Sequence, residues 1–96
     1  MAAYIIYETT ITDTSWREEY GVRVKPLLEK YGGKVLVRDN APERVEGDRD
    51  LPTVVIIIEF PDRAAADGWH NDPDYQPLLK LRQTGSSAEA VLVDGL

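Results

Sequence analysis

His70 is the only histidine of the chain. Imidazole gains and loses a proton near neutral pH, so His70 is the candidate general acid or base. It stands beside Asn71 and Asp72, at a predicted break between two helical segments. A histidine at such a break also commonly completes a cap or faces solvent. We predict His70 as the catalytic candidate and keep the capping role as the simpler interpretation.

Two arginines, Arg38 and Arg82, are candidates for binding an anion. Arg38 falls within a predicted apolar strand, where a guanidinium needs an anionic ligand or an ion pair across the sheet with Glu46 or Glu59. Arg82 lies on the inward edge of the last predicted helix and would be its companion. Alternatively, the aliphatic part of Arg82 packs over Tyr75 while the charge reaches solvent. The sequence leaves both alternatives open.

Three aromatic residues, Tyr7, Trp69 and Tyr75, could line a flat pocket between the sheet and the helices. Such pockets take small apolar ligands, but large aromatic side chains more often belong to the core. The predicted ligand-binding set is Arg38, Trp69, Tyr75, Arg82 and Tyr7, with His70 as its catalytic member.

No metal or cofactor is expected at this site. One histidine cannot build a multi-histidine centre, and the absence of cysteine excludes thiolate ligands and thiolate nucleophiles. Trp69, His70 and Asn71 are residue types found around haem, but consecutive residues cannot surround one ligand from different elements. Gly32-Gly33-Lys34 lacks the earlier glycine and the Ser or Thr of a phosphate loop.

The composition narrows the class of partner. The chain has 17 acidic and 11 basic residues and a formal net charge of -6. Such a surface repels nucleic-acid phosphates and anionic lipids, so neither nucleic acid nor a membrane is an expected partner. The longest aliphatic run, Val54 to Ile58, is far below the ~20 residues of a spanning helix. The first residues do not resemble a secretory signal, and we expect a cytoplasmic location.

Hydrophobic spacing and turn residues predict strands, helices and their limits. Ser15 and Glu18 have the spacing of a capping box at the start of the first helix, and Pro26 predicts a kink within it. The predicted elements are strand 3–12, helix 15–31, strand 34–39, an optional hairpin arm 43–46, strand 53–60, helical segments 62–69 and 71–84, and strand 88–94.

This order predicts one α+β domain over residues 1–96, with the β-α-β-β-α-β arrangement of ferredoxin-like proteins. Four antiparallel strands would carry both helices on one face. In strand 34–39, simple alternation places Arg38 on the face opposite Val35 and Val37. The run Val54 to Ile58 is apolar on both faces, so the helix-free face needs a cover. We therefore expect a homodimer through the open sheet face.

The chain resembles the DUF1330 family over nearly its whole length. The resemblance is carried by Tyr31 to Arg38, Glu46-Gly47-Asp48, Ile58 to Pro61, Trp69 to Gln76, and Arg82. It implies a dimeric α/β barrel of ferredoxin-like subunits. Two residues depart from the family pattern, namely Arg49 and His70, where the family usually has aromatic residues.

Together these features predict a protein that binds a small anionic or aromatic molecule and that could be a cofactor-independent enzyme. In this interpretation arginine supplies charge, tyrosine a hydroxyl group and histidine a proton-transfer group. The alternative is a non-catalytic dimeric module, in which Arg38 is tied to a carboxylate and the space between helices and sheet is packed solid.

Overall fold

The computed structural model describes residues 1–96 and contains four strands and three helices. In chain order they are β1 (Ala3–Ile11), α1 (Arg17–Lys30), β2 (Lys34–Asp39), β3 (Val54–Phe60), α2 (Arg63–Asn71), α3 (Gln76–Gln83) and β4 (Ser86–Asp94). The predicted α+β class and element order are confirmed. The predicted hairpin arm is wrong, because residues 40–53 form turns and irregular loop. No helix is both long and apolar enough to cross a lipid bilayer.

The helix boundaries follow local hydrogen bonds. Asp62 caps α2 as predicted, since its side chain accepts a 2.8 Å hydrogen bond from the backbone N–H of Ala65. The predicted capping box on α1 is wrong: Ser15 donates to the side chain of Asp13, and the cap residue Trp16 makes no side-chain cap bond. Helix α1 is assigned as one continuous element that includes Pro26.

All neighbouring strands pair antiparallel, in the spatial order β2-β3-β1-β4. One irregularity interrupts this register, a shift between Val35 and Val37 on β2. Val35 pairs with Ile58, and Arg38 pairs with Ile56, so both side chains lie on the helix-facing side. The alternation predicted from the sequence is therefore wrong, because one extra residue reverses the faces along β2. This shift turns Arg38 toward the helices.

The helix-facing side of the sheet carries the core. Its buried members come from all three helices and the two central strands, and the largest fully buried side chains are Trp69, Tyr75, Phe60 and Leu78. The rings of Phe60 and Trp69 lie 5.6 Å apart, and those of Trp69 and Tyr75 4.4 Å apart. These aromatic contacts fix the break between α2 and α3 over the sheet.

The opposite, helix-free side is less uniformly apolar than predicted. Register places Val37, Ile57, Ile6 and Val91 side by side in one row across all four strands. The rows on either side of this apolar row carry charges, including the adjacent carboxylates Glu8 and Glu89. The face is an apolar band between polar margins.

Two glycines should respond oppositely to alanine. Gly21 lies inside α1 with no heavy atom within 4 Å of an added Cβ, so Gly21→Ala should stabilise the fold by about 1 kcal/mol through helix propensity. A Cβ on Gly85 would meet Trp16 Cδ1 at 2.7 Å and approach the Asp13 carbonyl oxygen even more closely. We expect Gly85→Ala to cost about 1–3 kcal/mol. Thermal unfolding of the two variants beside the wild type tests both signs; a higher melting temperature for Gly85→Ala would contradict this packing.

Candidate active site

A cavity of about 540 Å³ lies between α1 and the sheet. It exists because α1 makes its close backbone approach to α3, whereas α2 and α3 are the helices that approach the strands. Aromatic and aliphatic side chains form most of its wall. The lining includes Tyr7, Trp16, Tyr20, Ile56, Trp69 and Arg82, together with the charged residues Arg17, Lys25, Glu29 and Arg38.

Arg82 is the buried charge of this cavity. Its residue surface is only 9% exposed, and its Nε and Nη1 atoms have no hydrogen-bond partner. The guanidinium lies 5.6 Å from the centre of the Tyr7 ring, a cation–π distance. No carboxylate lies within ion-pair distance of it. Burial contradicts the alternative in which Arg82 extends its charge into solvent, and leaves donors available to an anion.

Two further buried polar atoms of lining residues make no hydrogen bond, the Tyr7 hydroxyl and the Trp69 indole N–H. Burial raises the pKa of Tyr7, and nearby Tyr75 adds to the effect while Arg82 opposes it. Burial also raises the pKa of Tyr20, whose hydroxyl lies 2.8 Å from that of Tyr75. These tyrosines are neutral at physiological pH and donate hydrogen bonds. The buried end of the cavity is rich in donors and contains no carboxylate.

Exposed charged residues form the mouth of the cavity. They are the basic residues Arg17, Lys25 and Arg38 and the acidic residue Glu29. Arg38 makes no ion pair, so the alternative of a cross-strand pair with Glu46 or Glu59 is not observed. Glu59 pairs with Lys34 in register and accepts a hydrogen bond from Tyr4, which places it on the opposite face of the sheet.

The predicted site residues thus divide into two groups. Arg38, Arg82, Tyr7 and Trp69 line one cavity, whereas His70 and Tyr75 lie outside its lining. The half-buried His70 ring is 5.8 Å from the Tyr75 ring, and the His70 carbonyl accepts a hydrogen bond from Gln76. Tyr75 is fully buried behind Trp69. His70 therefore lies at the α2–α3 junction.

A family model matches residues 2–96, and its description is "Domain of unknown function (DUF1330)". The chain belongs to the DUF1330 family. No curated protein matches it in sequence. No three His, Asp or Glu side chains group closely enough to hold a metal ion.

Solved structures share the fold of this DUF1330 chain. A protein of unknown function from Rhodopseudomonas palustris is 20% identical, with a TM-score of 0.84 over 99% of this chain and 82% of that one. SnoaB, a cofactor-independent oxygenase from Streptomyces nogalater, is 16% identical, with a TM-score of 0.70 over 99% and 93%. A dimeric ferredoxin-like protein from Jannaschia sp. CCS1 is 15% identical, with a TM-score of 0.61 over 95% and 98%. At these identities the likeness establishes the fold alone.

The α1 wall of the cavity is the part that sequence reasoning missed. Trp16, Tyr20 and Val24 recur at helical spacing and line the cavity, while Val24 and Tyr20 also pack with the core. Arg17 and Lys25 flank this stripe at its exposed edge. A basic residue beside an aromatic stripe is the available signal, but an ordinary amphipathic helix has the same pattern. Arg49, one of the two residues that depart from the family pattern, lies outside the cavity. It pairs with Glu8 at 2.6 Å on the helix-free side of the sheet.

Asp72 anchors the helix junction that carries Trp69. The residue is only 5% exposed. Its carboxylate accepts hydrogen bonds from the Tyr31 hydroxyl at 2.6 Å, the Asp74 backbone N–H at 2.8 Å and Lys30 Nζ at 3.2 Å. The hydrogen bond from the Tyr31 hydroxyl is the largest cause that holds the pKa of Asp72 below its usual range. The Asp74 N–H and the Lys30 charge lower this pKa further. The bonds from Tyr31 and Lys30 tie the end of α1 to the α2–α3 junction.

This depressed pKa predicts how the stability of the DUF1330 chain depends on pH. The contribution of the Asp72 carboxylate to the free energy of unfolding should be complete above the ordinary aspartate pKa, near 4. It should be lost as pH falls through the lower pKa of the folded state. Asp72→Asn should therefore unfold at lower urea concentration than the wild type at pH 7. The difference between the two midpoints should shrink below about pH 4. Equal midpoints at pH 7, or a difference independent of pH down to 2, would show that the carboxylate is not the anchor.

Proposed function

We propose that this DUF1330 protein binds a small molecule that joins an anionic group to a flat apolar body, in the cavity beneath α1. One observation carries the proposal: Arg82 is buried in an apolar cavity with two nitrogen atoms unpaired. A buried guanidinium without a counter-charge is costly, and an anionic ligand is the partner that offsets the cost. The cavity volume, about 540 Å³, is in the usual range for small-ligand sites.

Each lining residue has a role in this proposal. Arg82 takes the anionic group, and the Tyr7 hydroxyl and the Trp69 indole N–H donate further hydrogen bonds to it. Ile56 and the aromatic rings of α1 contact the flat body from either side. Arg38 attracts the ligand at the mouth. His70 and Tyr75, predicted from the sequence, act here through the packing of Trp69 and not by contact with the ligand.

The chemistry that these residues support is stabilisation of an anion formed on the bound molecule. Buried donors aimed at developing negative charge are a strong form of catalysis. Neutral tyrosines of raised pKa can donate protons but are poor bases. SnoaB, which shares the fold, is a cofactor-independent oxygenase. We therefore include cofactor-independent catalysis in the proposal, with Arg82 and Tyr7 as the residues that stabilise the anion.

The rival function is a non-catalytic dimeric module with a solid interior. That function requires Arg38 paired with a carboxylate and no space between α1 and the sheet. The open cavity and the unpaired Arg38 favour ligand binding instead.

We also propose that the protein is a homodimer through the open sheet face. The apolar band of Val37, Ile57, Ile6 and Val91 crosses the whole sheet, with Val91 58% exposed in the single chain. Such bands are typical of association surfaces. The Jannaschia protein with this fold is dimeric. Because the cavity lies on the other face, association in this way leaves it accessible.

Ligand binding should depend on Arg82 and be independent of His70. Isothermal titration calorimetry with 2-naphthoate as probe should show Arg82→Met weakening binding about tenfold or more, since a charged hydrogen bond contributes about 1.5–3 kcal/mol. His70→Gln, the matched control, should bind within about twofold of the wild type, because His70 lies outside the lining. Arg82→Met should be at least as stable as the wild type, since it removes an unpaired buried charge. Equal affinity in Arg82→Met would contradict the assigned site.

The dimer should depend on the apolar band. Val91→Lys introduces a charge at its edge, while Val22→Lys makes the same change at an α1 position that is 71% exposed. Sedimentation velocity at micromolar concentration should give a dimer for the wild type and Val22→Lys and a folded monomer for Val91→Lys. A wild-type monomer, or a dimer unaffected by Val91→Lys, would place the interface elsewhere or remove it.

A further inference from the structure

Positive charge is concentrated in the cavity of an otherwise acidic protein. Four of the chain's 11 basic residues line it, namely Arg17, Lys25, Arg38 and Arg82, against one of the 17 acidic residues, Glu29. The lining thus has a formal charge of +3 in a chain of net charge -6. One anionic group on Arg82 would leave the remaining cations unmatched. A cleft of one sign with low-dielectric walls attracts ions of opposite sign.

These cations occupy two levels. Arg82 is buried at one end with Tyr7 and Trp69, whereas Arg17, Lys25 and Arg38 are exposed. The sheet register relates the two levels, because Arg38, Ile56 and Tyr7 lie side by side in one row across β2, β3 and β1. Neighbouring strands are about 4.8 Å apart, so the Cα atoms of Arg38 and Tyr7 are separated by roughly 10 Å, with the apolar Ile56 between them.

We propose that the ligand carries two anionic groups at opposite ends of a flat apolar body, as in an elongated aromatic dicarboxylate. This inference rests on the proposed binding function and names its ligand class. One carboxylate binds Arg82 and the Tyr7 hydroxyl. The other binds Arg38 at the mouth, where Lys25 and Arg17 add attraction. The aromatic body lies over Ile56 and spans the separation between them.

The exposure of the cavity mouth explains why the second group of the ligand must be charged. Arg38 and Lys25 are exposed to water, and a neutral group there would gain little over hydration. An anion retains the attraction of three basic residues, reduced by Glu29 alone. The cavity should therefore discriminate among aromatic molecules by charge: dianion over monoanion, and monoanion over neutral molecule.

Titration calorimetry with three probes of one shape tests this class: 2,6-naphthalenedicarboxylate, 2-naphthoate and 2-naphthalenemethanol. The wild type should bind the dicarboxylate about threefold to fivefold more tightly than the monocarboxylate, since the second ion pair is exposed to solvent, and should bind the alcohol most weakly. Arg38→Gln should remove most of the dicarboxylate's advantage and leave 2-naphthoate affinity within about twofold. Arg82→Met should weaken both acids. The matched control is Arg23→Gln, which makes the same charge change on α1 at a residue paired with Glu19 outside the cavity. It should preserve the ratio.

The outcomes separate this inference from the function on which it rests. If 2-naphthoate binds through Arg82 but the dicarboxylate binds no more tightly, the two-anion ligand is overturned and the proposed function stands. A dicarboxylate advantage that survives Arg38→Gln also overturns it, because the second anion then binds elsewhere. If no probe binds the wild type, both proposals fail together.

Discussion

A guanidinium held out of water without a carboxylate is the constraint around which the helix-facing half of this molecule is organised. Charged groups removed from water normally pair, because desolvation of an ion costs several kcal/mol even after relaxation. Arg82 lies in the last turn of α3, where the helix dipole favours a cation, and its charge lies over the Tyr7 ring. These interactions offset part of the cost without using the Nε and Nη1 hydrogens. Sites that store unfavourable electrostatics in this way are commonly functional.

Holding that charge in place requires a rigid frame, and the aromatic core supplies it. Trp69 and Tyr75 pack against each other at the α2–α3 break, and the Tyr75 hydroxyl reaches Tyr20 on α1. Asp72 connects the same break to the end of α1. Helix α1 is therefore fixed at the α3 side, its Val24 and Leu28 join the core, and the cavity lies between the rest of the helix and the sheet.

Sequence reasoning located the elements well because composition and turn chemistry act locally. Strand 34–39 matches β2, and Asp62 caps α2, as β-propensity and side-chain capping predict. The register shift at Val35 and Val37 was not predictable, since it depends on pairing with β3, and it alone decides which face Arg38 occupies. A pocket between the sheet and the helices was predicted, but the contribution of α1 to its wall was not. The spacing of Trp16 and Tyr20 indicates that they share one face of a helix. Only tertiary packing determines whether that face contacts the core or lines an open cavity.

Alternation along each strand keeps the side chains of the two sheet faces apart, so the proposed ligand site and the proposed dimer interface do not share residues. On β1, Tyr7 points to the cavity while its neighbour Ile6 belongs to the apolar band. Association through that band would bury Ile6 without contacting Tyr7, so it would stabilise the sheet by mass action and leave the cavity open. The backbone of β1, β3 and β2 carries the side chains of both faces. Its rigidity would determine the distance between Arg38 and Tyr7. A dimer would thus act on ligand selection by fixing that spacing, with no interface residue touching the ligand.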